Sequence, residues 1–518
     1  MNGGTIEAPT IEYALLAPML LIFGAAVVGV LVEAFAPRYL RKSIHVPLTL
    51  LALAGGFLLT ILQAVREGVP TTPAAMGAVA VDGPALFIWG IILVLAFVST
   101  LLINDDEQFV AQAAAVPGSS DEEAAVRHGY AQTEVYPLLL FSVGGMLLFP
   151  AANDLLVMFV ALEVMSLPLY LLCGLARRRR LLSQEASVKY FLLGSFSSAF
   201  FLYGMALVYG YAGSIDLRAI SSALGTVAGQ DILLYVGVAL LGVGLLFKIG
   251  AAPFQAWKPD VYQGAPTAIT ALMASTVLVA AFGAVLRVFW VALGNLDWDW
   301  RPVMWGVAIL TMVVGAIVAI TQTEIKRMLA YSSIAHAGFL LTGVIATGGP
   351  EQNQEALSAI LFYLVAYGFA TVGGFAVVTM VRDAGGEAGH LSRWAGLGKR
   401  APLLAGIFAF FLLAFAGIPL TSGFFGKYAV FSAAVAADAL PLVVVGVVAS
   451  AIAAFFYVRV IVLMFFSEPA ADGPSIAMPT VGTSAVVALA AAATVVLGVF
   501  PEPVLNLADQ AASALFIR

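Results

Sequence analysis

Charged side chains are scarce in this sequence, because Asp, Glu, Lys and Arg make up only 10% of its 518 residues, whereas 62% are hydrophobic. A soluble protein carries about 25% charged residues. So few charged groups cannot cover the surface of a soluble protein of this length. Lipid must therefore be the outer solvent, and the chain is expected to be an integral membrane protein.

Cysteine and basic tracts are also rare. The single cysteine, Cys173, lies in an apolar run, which excludes a disulfide framework and a cysteine-ligated metal cluster. The net charge is −6 and no long basic tract occurs, so nothing indicates a nucleic-acid partner. The sequence also lacks nucleotide-binding glycine loops, a Rossmann fingerprint and an HExxH motif. We therefore expect no cofactor in this chain, which is predicted to move charge rather than electrons.

Long apolar runs, by contrast, fill the sequence. A spanning helix needs roughly 20 apolar residues. The first run, from Ala14, is too long for a cleavable signal peptide and has no basic residues before it. We predict an all-α integral membrane protein with about fourteen transmembrane helices, near residues 14–36, 46–65, 84–104, 136–151, 154–176, 187–211, 232–258, 266–292, 303–321, 328–347, 356–381, 401–436, 441–466 and 479–500.

Positive charge in the loops predicts the orientation of these helices. If the N-terminus is outside, most of the 24 lysines and arginines fall in the inner loops, including the run Arg177–Arg180. Both termini then lie on the outer, periplasmic side of a bacterial-type inner membrane. The acidic segment 105–135 lies inside, and it is too short for a catalytic domain. It suits a contact with a neighbouring protein or a solvated link.

Two apolar segments, Leu233–Tyr262 and Ala401–Ala437, are too long for one straight crossing. Proline removes a backbone donor and kinks a helix, and broken helices in corresponding places indicate inverted repeats around a transport path. We therefore predict two inverted five-helix repeats, each containing a broken helix. The predicted interruptions are Pro253 and Pro259 in the first segment, and Gly417, Pro419 and Gly423 in the second.

This organisation divides the chain into four parts. Three N-terminal helices and the acidic loop occupy residues 1–134, and a C-terminal helix and tail occupy residues 471–518. The first repeat is predicted at 135–300 and the second at 301–470.

Three charged side chains lie deep inside the predicted spans. Glu163 is close to the bilayer midplane, Lys248 precedes the first break, and Lys427 follows the second. A charged group at this depth costs at least about 2.5–3.5 kcal/mol, so each must be paired, hydrated or neutralised. We predict that Glu163 pairs with Lys248 and that both lysines hold protons in transit. The alternatives are a structural glutamic acid, a static ion pair, and a Lys427 that snorkels to the interface.

His336 also lies in the middle of a span, after Tyr331, Ser332 and Ser333, whose hydroxyls could order water beside it. Histidine relays protons near neutral pH, and a neutral, hydrogen-bonded core histidine is the alternative. Other charges have ordinary explanations. Arg287 lies toward the end of a span and can snorkel, and positive charge such as that of Lys326 and Arg327 is expected on an inner loop.

Three long motifs follow one another along the chain: FKIGAAPFQAWKPDVYQGAPT at Phe247–Thr267, TEIKRMLAYSSIAHAG at Thr323–Gly338, and GIPLTSGFFGK at Gly417–Lys427. Together they resemble the antiporter-type membrane subunits of respiratory complex I, over most of the chain from about residue 130 to 465. The resemblance implies fourteen helices, two inverted repeats and a proton path along a central polar axis, with Glu163, Lys248 and Lys427 as key residues.

It further implies a proton-translocating subunit of an NADH:quinone oxidoreductase, which couples NADH oxidation by quinone to proton pumping. The implied partners are the other membrane subunits, the lipid bilayer, and a peripheral arm. NADH, FMN, iron–sulfur clusters and quinone are then bound by partner subunits. A subunit of a multi-subunit sodium/proton antiporter shares this fold and is the first alternative. A structural membrane scaffold without transport is the second.

The sequence departs from the family pattern on the predicted path. The family usually has a lysine in the helix after the first break, and Leu278 stands there; a histidine is common where Gln255 stands. Lys258, beside Trp257, stands where a neutral residue is expected. Either Lys258 supplies the missing mid-channel cation, or it is an ordinary lysine of the inner face.

Overall fold

The computed structural model describes residues 11–66, 73–105, 120, 132–176, 180–226, 229, 231–347, 350–383, 386–469, 473–513 and 516. Arginines 177–179 and nearly all of the acidic segment 105–135 lie outside these ranges. The contact predicted for that segment therefore stays a prediction.

Helices dominate the described part of the chain. One long helix, α10 (Thr267–Ala292), contains two π-helical stretches, Met273–Val277 and Arg287–Ala292. In chain order the helices are α1 Tyr13–Phe35, α2 Arg38–Arg66, α3 Gly83–Asp105, α4 Val135–Ala151, α5 Leu155–Cys173, α6 Arg180–Ala212, α7 Leu217–Ala223, α8 Asp231–Ile249, α9 Trp257–Gly264, α10 Thr267–Ala292, α11 Asp297–Ile320, α12 Ile325–Ile345, α13 Pro350–Met380, α14 Pro402–Ala416, α15 Ser422–Ala436, α16 Leu440–Phe466, α17 Val481–Val499 and α18 Glu502–Ser513, with short helical turns at Gly294–Leu296, Leu391–Trp394 and Leu397–Arg400.

Twelve helices in the described ranges are long and apolar enough to cross a membrane. The two remaining predicted spans are built differently. Helix α4 has only 17 residues, and the segment predicted at 401–436 is divided into α14 and α15, each of 15 residues. A 15-residue helix is about 22 Å long, which is less than the roughly 30 Å of a hydrocarbon core. Only together are α14 and α15 long enough for one crossing.

The two helix breaks lie at glycines, which corrects part of the prediction. Helix α8 ends before Gly250, with φ +75°, and α14 ends before Gly417, with φ +81°. This left-handed backbone favours glycine because a Cβ atom would clash. Two of the predicted interruptions, Pro259 and Gly423, lie inside α9 and α15. Pro259 is in the first turn of α9, where a missing N–H leaves no helical hydrogen bond unmade.

A small antiparallel sheet was not predicted from the apolar runs. Strand β1 (Val381–Asp383) lies between β2 (Gly386–Glu387) and β3 (Ser475–Ile476). Arg382 of β1 is opposite Glu387 on one side and Ser475 on the other. The sheet ties the link after α13 to the segment before α17, and it places Glu387 beside the helices.

The start of α5 is fixed by one capping side chain. Asp154 caps the helix, and its side chain accepts a 2.7 Å hydrogen bond from the backbone N–H of Val157. Such a cap satisfies one of the free N–H groups of the first turn. It fixes the beginning of the helix that carries Glu163 and Ser166.

The centre of the molecule is formed by α10 and its neighbours. Every residue of α10 is buried, and α12 is nearly as enclosed. Large apolar side chains are instead exposed on outer helices, such as Leu51 on α2, Phe196 on α6 and Phe455 on α16. Exposed apolar faces of this kind suit lipid or neighbouring membrane helices. Polar residues of the buried helices therefore lie in the protein interior.

Candidate proton path

Lys248 lies in the last turn of α8 and is only 3% exposed. Its amine donates a 2.6 Å hydrogen bond to the Ser166 hydroxyl and a 3.4 Å hydrogen bond to the Tyr190 hydroxyl. The Tyr190 ring also faces the amine, with its centroid 5.3 Å away. Lys248 therefore joins α8 to α5 and α6 from inside the protein, through hydroxyl groups.

Glu163 and Ser166 lie one helical turn apart on α5 and share a face of that helix. The Glu163 carboxylate interacts electrostatically with the Lys248 amine. Among the described residues, however, the amine's polar contacts are with hydroxyls, and Glu163 Oε1 is buried without a hydrogen-bond partner. The helix that carries Glu163 does contact Lys248, and Ser166 is the group that accepts the hydrogen bond. The pairing of Glu163 with Lys248 stays a prediction.

Lys258 lies in the first turn of α9, on the far side of the first break, and is 2% exposed. Its amine donates a 3.1 Å hydrogen bond to the carbonyl of Ile249, the residue after Lys248. The Tyr262 ring lies 5.7 Å from the amine. The interpretation as an ordinary inner-face lysine is therefore wrong, because the side chain turns back into the protein.

Leu278 and Gln255 are the two places where the sequence departs from the family pattern. Leu278 is 2% exposed and lies on the fully buried α10. Gln255 lies between the two halves of the first broken helix, and its Oε1 atom is buried without a hydrogen-bond partner among the described residues. Neither side chain titrates in the physiological range.

His336 lies on α12 and is 2% exposed. Its Nδ1 atom is 2.7 Å from the Tyr363 hydroxyl, and its Nε2 atom is 3.5 Å from the Tyr457 hydroxyl. The Tyr457 hydroxyl in turn shares a hydrogen bond with Ser332. His336 therefore joins two tyrosines from different helices, α13 and α16.

Lys427 lies on α15, beyond the second break, and is 6% exposed. Its amine donates hydrogen bonds to the carbonyls of Phe415 and Ala416, at 3.0 and 2.9 Å, and to the Ser450 hydroxyl at 2.7 Å. The Phe339 ring centroid is 4.9 Å from the amine. These inward contacts rule out the alternative that Lys427 snorkels to the membrane interface.

Several buried polar atoms near these residues have no hydrogen-bond partner in the described part of the chain. Such atoms normally bind ordered water. A line of hydroxyls, amides and carboxylates that water can bridge is what proton transfer between distant side chains requires. The atoms are Glu163 Oε1, Gln255 Oε1, Ser333 Oγ and Thr371 Oγ1.

Lys326 was assigned to an inner loop, and the structure corrects this. It is 3% exposed, and its amine donates to the Ala265 carbonyl at 2.9 Å, the Thr267 hydroxyl at 3.0 Å and the Glu387 carboxylate at 3.2 Å. Glu387 lies on β2, far from Lys326 in the sequence. No local pattern pairs the two, so sequence reasoning missed this buried ion pair.

Arg287 was expected to snorkel, and this prediction is also wrong. Arg287 and Asp82 are both fully buried and form a 2.7 Å ion pair. Arg287 further donates to the carbonyl of Pro150 at 2.8 Å and to that of Ala80 at 3.3 Å. A charge pair in a low-dielectric interior needs such additional hydrogen bonds. The pair joins α10 to the start of α3.

Across the described ranges, no group of three or more His, Cys, Asp and Glu side chains is arranged to hold a metal ion. Apart from the two buried ion pairs, the buried amines of Lys248, Lys258 and Lys427 contact hydroxyls and backbone carbonyls. Such an arrangement suits the relay of protons rather than the binding of one cation.

Comparisons with known proteins identify the family of the chain. Residues 152–453 match the family described as "NADH:quinone oxidoreductase/Mrp antiporter, TM". Over 543 aligned positions the chain is 60% identical to NADH-quinone oxidoreductase subunit N of Rhodococcus opacus, with 100% of this chain and 98% of that protein covered.

Solved structures are also similar. A chain of respiratory complex I from Thermus thermophilus with bound aureothin is 34% identical, with a TM-score of 0.76 and coverage of 95% of this chain and 99% of that chain. A chain of the Mrp complex from Dietzia has a TM-score of 0.80 at 20% identity, with 98% of each chain covered, and this shows the shared fold alone. The sodium/proton antiporter alternative is therefore not supported. The chain belongs to the subunit N family of NADH-quinone oxidoreductase, the multi-pass, proton-translocating, antiporter-like membrane subunits of bacterial respiratory complex I.

Proposed function

We propose that protons cross this subunit along a line of four buried side chains, Lys248, Lys258, His336 and Lys427. The observation that carries the proposal is the position of His336 beside the Lys427 site. Its ring packs against the rings of Phe339 and Phe415, and these two residues contact the Lys427 amine through a ring face and a carbonyl. His336 interacts electrostatically with both Lys258 and Lys427. A titratable group that interacts with two buried amines can pass a proton in either direction as their charges change.

A proton is taken up from the cytoplasmic side and held on Lys248, and it passes along side chains and water to Lys427 before it leaves on the outer side. Protonation of Glu163 weakens its electrostatic attraction for the Lys248 ammonium. A charge change in a neighbouring subunit then drives release of the proton from Lys248. The 2.6 Å contact with Ser166, one turn from Glu163, supports this coupling.

Lys258 takes the place of the mid-channel lysine expected at Leu278. Its amine contacts the carbonyl of the residue that follows Lys248, so the two lysines are neighbours across the first break. Leu278 cannot hold a proton.

The proposed topology has fourteen crossings, in which α4 makes a short crossing and α14 and α15 cross together. Two inverted five-helix repeats, 135–300 and 301–470, follow an N-terminal part at 1–134 and precede a C-terminal part at 471–518. Both termini are periplasmic. The matching glycine breaks at Gly250 and Gly417 support the repeats. The basic residues Arg38, Arg41 and Lys42, in the first turns of α2, support the orientation.

The chain carries no redox centre of its own in this proposal. NADH, FMN, the iron–sulfur clusters and quinone are bound by partner subunits, which include the other membrane subunits and the peripheral arm. The absence of nucleotide-binding and cysteine-cluster motifs from the sequence supports this division of labour. The exposed apolar faces of α2, α6 and α16 are available for lipid or membrane neighbours.

The test uses the whole complex in proteoliposomes, with NADH oxidation and proton uptake measured together. Lys248→Ala and Glu163→Gln are expected to lower the number of protons pumped per NADH while the complex assembles normally. Lys399→Ala is the matched control, because Lys399 is half exposed and pairs with the exposed Glu468. Normal pumping by Lys248→Ala in an assembled complex would support the structural scaffold and overturn the proposal.

A further inference from the structure

Both broken helices end in the same local motif. At the first break the N–H of Gly250 donates to the Phe247 carbonyl at 3.0 Å, and the N–H of Ala251 donates to the Leu246 carbonyl at 2.9 Å. A left-handed glycine with these two backward bonds is a Schellman motif. The α8 half-helix therefore has a defined end at Gly250.

The second break repeats this pattern. The N–H of Gly417 donates to the Ala414 carbonyl at 3.0 Å, and the N–H of Ile418 donates to the Leu413 carbonyl at 3.1 Å. Gly250 and Gly417 have φ angles of +75° and +81°. The two half-helices thus end with the same conformation and the same hydrogen bonds.

A buried lysine closes each motif from the second half of its broken helix. Lys258 donates to the carbonyl of Ile249, just before Gly250, and Lys427 donates to the carbonyl of Ala416, just before Gly417. A Cβ atom built on Gly250 would lie 2.7 Å from Lys258 Cδ, and one built on Gly417 would lie 3.0 Å from Lys427 Cδ. Each lysine therefore crosses directly over the glycine of its break.

Lys248 has a different position. It lies two residues before Gly250, and the residue two before Gly417 is Phe415, which is apolar. The amine of Lys248 contacts side-chain hydroxyls of other helices. The counterpart of Lys427 in the first break is therefore Lys258, although Lys248 is the lysine that the sequence motif suggests.

The free carbonyls at the end of a helix carry a partial negative charge, and a cation placed there is stabilising, more so where water is excluded. Among the described residues neither Lys258 nor Lys427 forms an ion pair. The helix ends are accordingly the negative groups nearest to the two amines. A neutral amine keeps its hydrogen-bonding ability but loses this attraction.

We propose that Lys258 and Lys427 have equivalent roles at the two helix breaks. Each lysine stabilises the backbone conformation of its break when the amine carries its proton, and this stabilisation is lost when the proton leaves. The inference rests on the proton path proposed above and adds a conformational consequence to it. The ammonium loses one proton to the next group of the path and becomes a neutral amine. Proton movement and the geometry of each break are then linked.

The titratable groups that face these amines are few. Tyr262 on α9 faces Lys258, and His336 on α12 interacts electrostatically with both lysines. Ser450 on α16 binds the Lys427 amine, but it does not titrate in the physiological range. A positive charge on His336 therefore opposes a positive charge on either lysine.

Hydrogen exchange of the intact complex, followed by mass spectrometry, tests the proposal. Lys258→Met is expected to raise exchange at the amides of Gly250 and Ala251 by about tenfold, as expected for loss of a partly buried charged cap. Exchange at Gly417 and Ile418 should not change. Lys427→Met should give the opposite pattern, and Lys248→Met should change neither break. Unchanged exchange at Gly250 and Ala251 in Lys258→Met, or an equal rise in Lys248→Met, would overturn the proposal.

Lys258→Gln is the second variant if the methionine side chain impairs assembly. It keeps a hydrogen-bond donor and removes the charge, so faster exchange at the first break supports the importance of charge, and unchanged exchange refutes it. Proton pumping is measured on the same samples. Loss of pumping with unchanged exchange supports the proton path and refutes stabilisation of the break by Lys258. Faster exchange with normal pumping supports stabilisation of the break by Lys258 and excludes Lys258 from the proton path.

Discussion

The Lys248 amine lies 2.6 Å from the Ser166 hydroxyl, and Ser166 lies one helical turn from Glu163. A serine hydroxyl can both accept and donate, and Ser166 also donates to the Leu162 carbonyl. It thus holds the amine beside the helix of Glu163 without forming an ion pair. We therefore expect coupling between Glu163 and Lys248 to depend on this hydroxyl.

Ser166→Ala is expected to lower proton pumping by roughly tenfold, since a hydrogen bond to a charged group contributes about 1.5–3 kcal/mol. The measurement is protons pumped per NADH in proteoliposomes. Ser142→Ala is the matched control. Ser142 is a buried serine of α4 that donates to the carbonyl of Met165, the residue before Ser166 on α5. Equal pumping by the two variants would contradict the importance of Ser166.

Gly250→Ala is expected to destabilise the first break. The left-handed backbone costs a non-glycine residue about 1–2 kcal/mol, and the added Cβ would lie 2.7 Å from Lys258 Cδ. Reduced thermal stability of the complex and reduced pumping should appear together. The control is Gly294→Ala, where a Cβ meets no atom within 4 Å. A Gly250→Ala complex as stable as this control would refute the strained conformation.

Arg287→Met is expected to impair assembly, because it breaks the buried ion pair with Asp82, and breaking a buried pair costs about 3–5 kcal/mol. The amount of assembled complex in the membrane is measured on native gels. The double variant Arg287→Met with Asp82→Asn should recover part of the loss, since the buried charge is removed and the side-chain oxygen can still accept from the Ala85 N–H. If the double variant recovers no assembled complex, loss of the ion pair is not the cause of the impaired assembly.

His336→Phe is expected to stop proton transfer between the two halves of the path while it preserves an aromatic ring of similar volume. Pumping per NADH should fall at least about tenfold, within the range that a positioned acid–base group contributes. His390→Phe serves as the control because His390 is exposed and bonds to Ser392. If His336→Phe pumps as well as His390→Phe, protons do not pass through His336.

Much of this arrangement follows from local sequence. The presence of two broken helices and the interruption at Gly417 could be anticipated, because glycine and proline interrupt apolar runs that are otherwise too long. The first half-helix ends at Gly250, ahead of the predicted Pro253. The N-cap at Asp154 follows from the chemistry of one side chain and the N–H groups after it. These features depend on residues close together in the chain.

The partners of the buried charges could not be anticipated in the same way. Lys326 meets Glu387 and Arg287 meets Asp82, and each pair joins segments that are distant in sequence. Both basic residues had ordinary explanations from their positions near helix ends. Only the packing of α10, α12 and the small sheet shows that water does not reach them.

Composition and apolar run length alone determined that this chain is a multi-helix membrane protein with two broken helices, because lipid excludes unpaired backbone and most charge. The three motifs determined its family. The tertiary structure decided which groups each buried charge contacts, and it turned Lys258 inward over Gly250. The direction of a side chain depends on how the chain bends at a break, and that bend is set by contacts between distant helices.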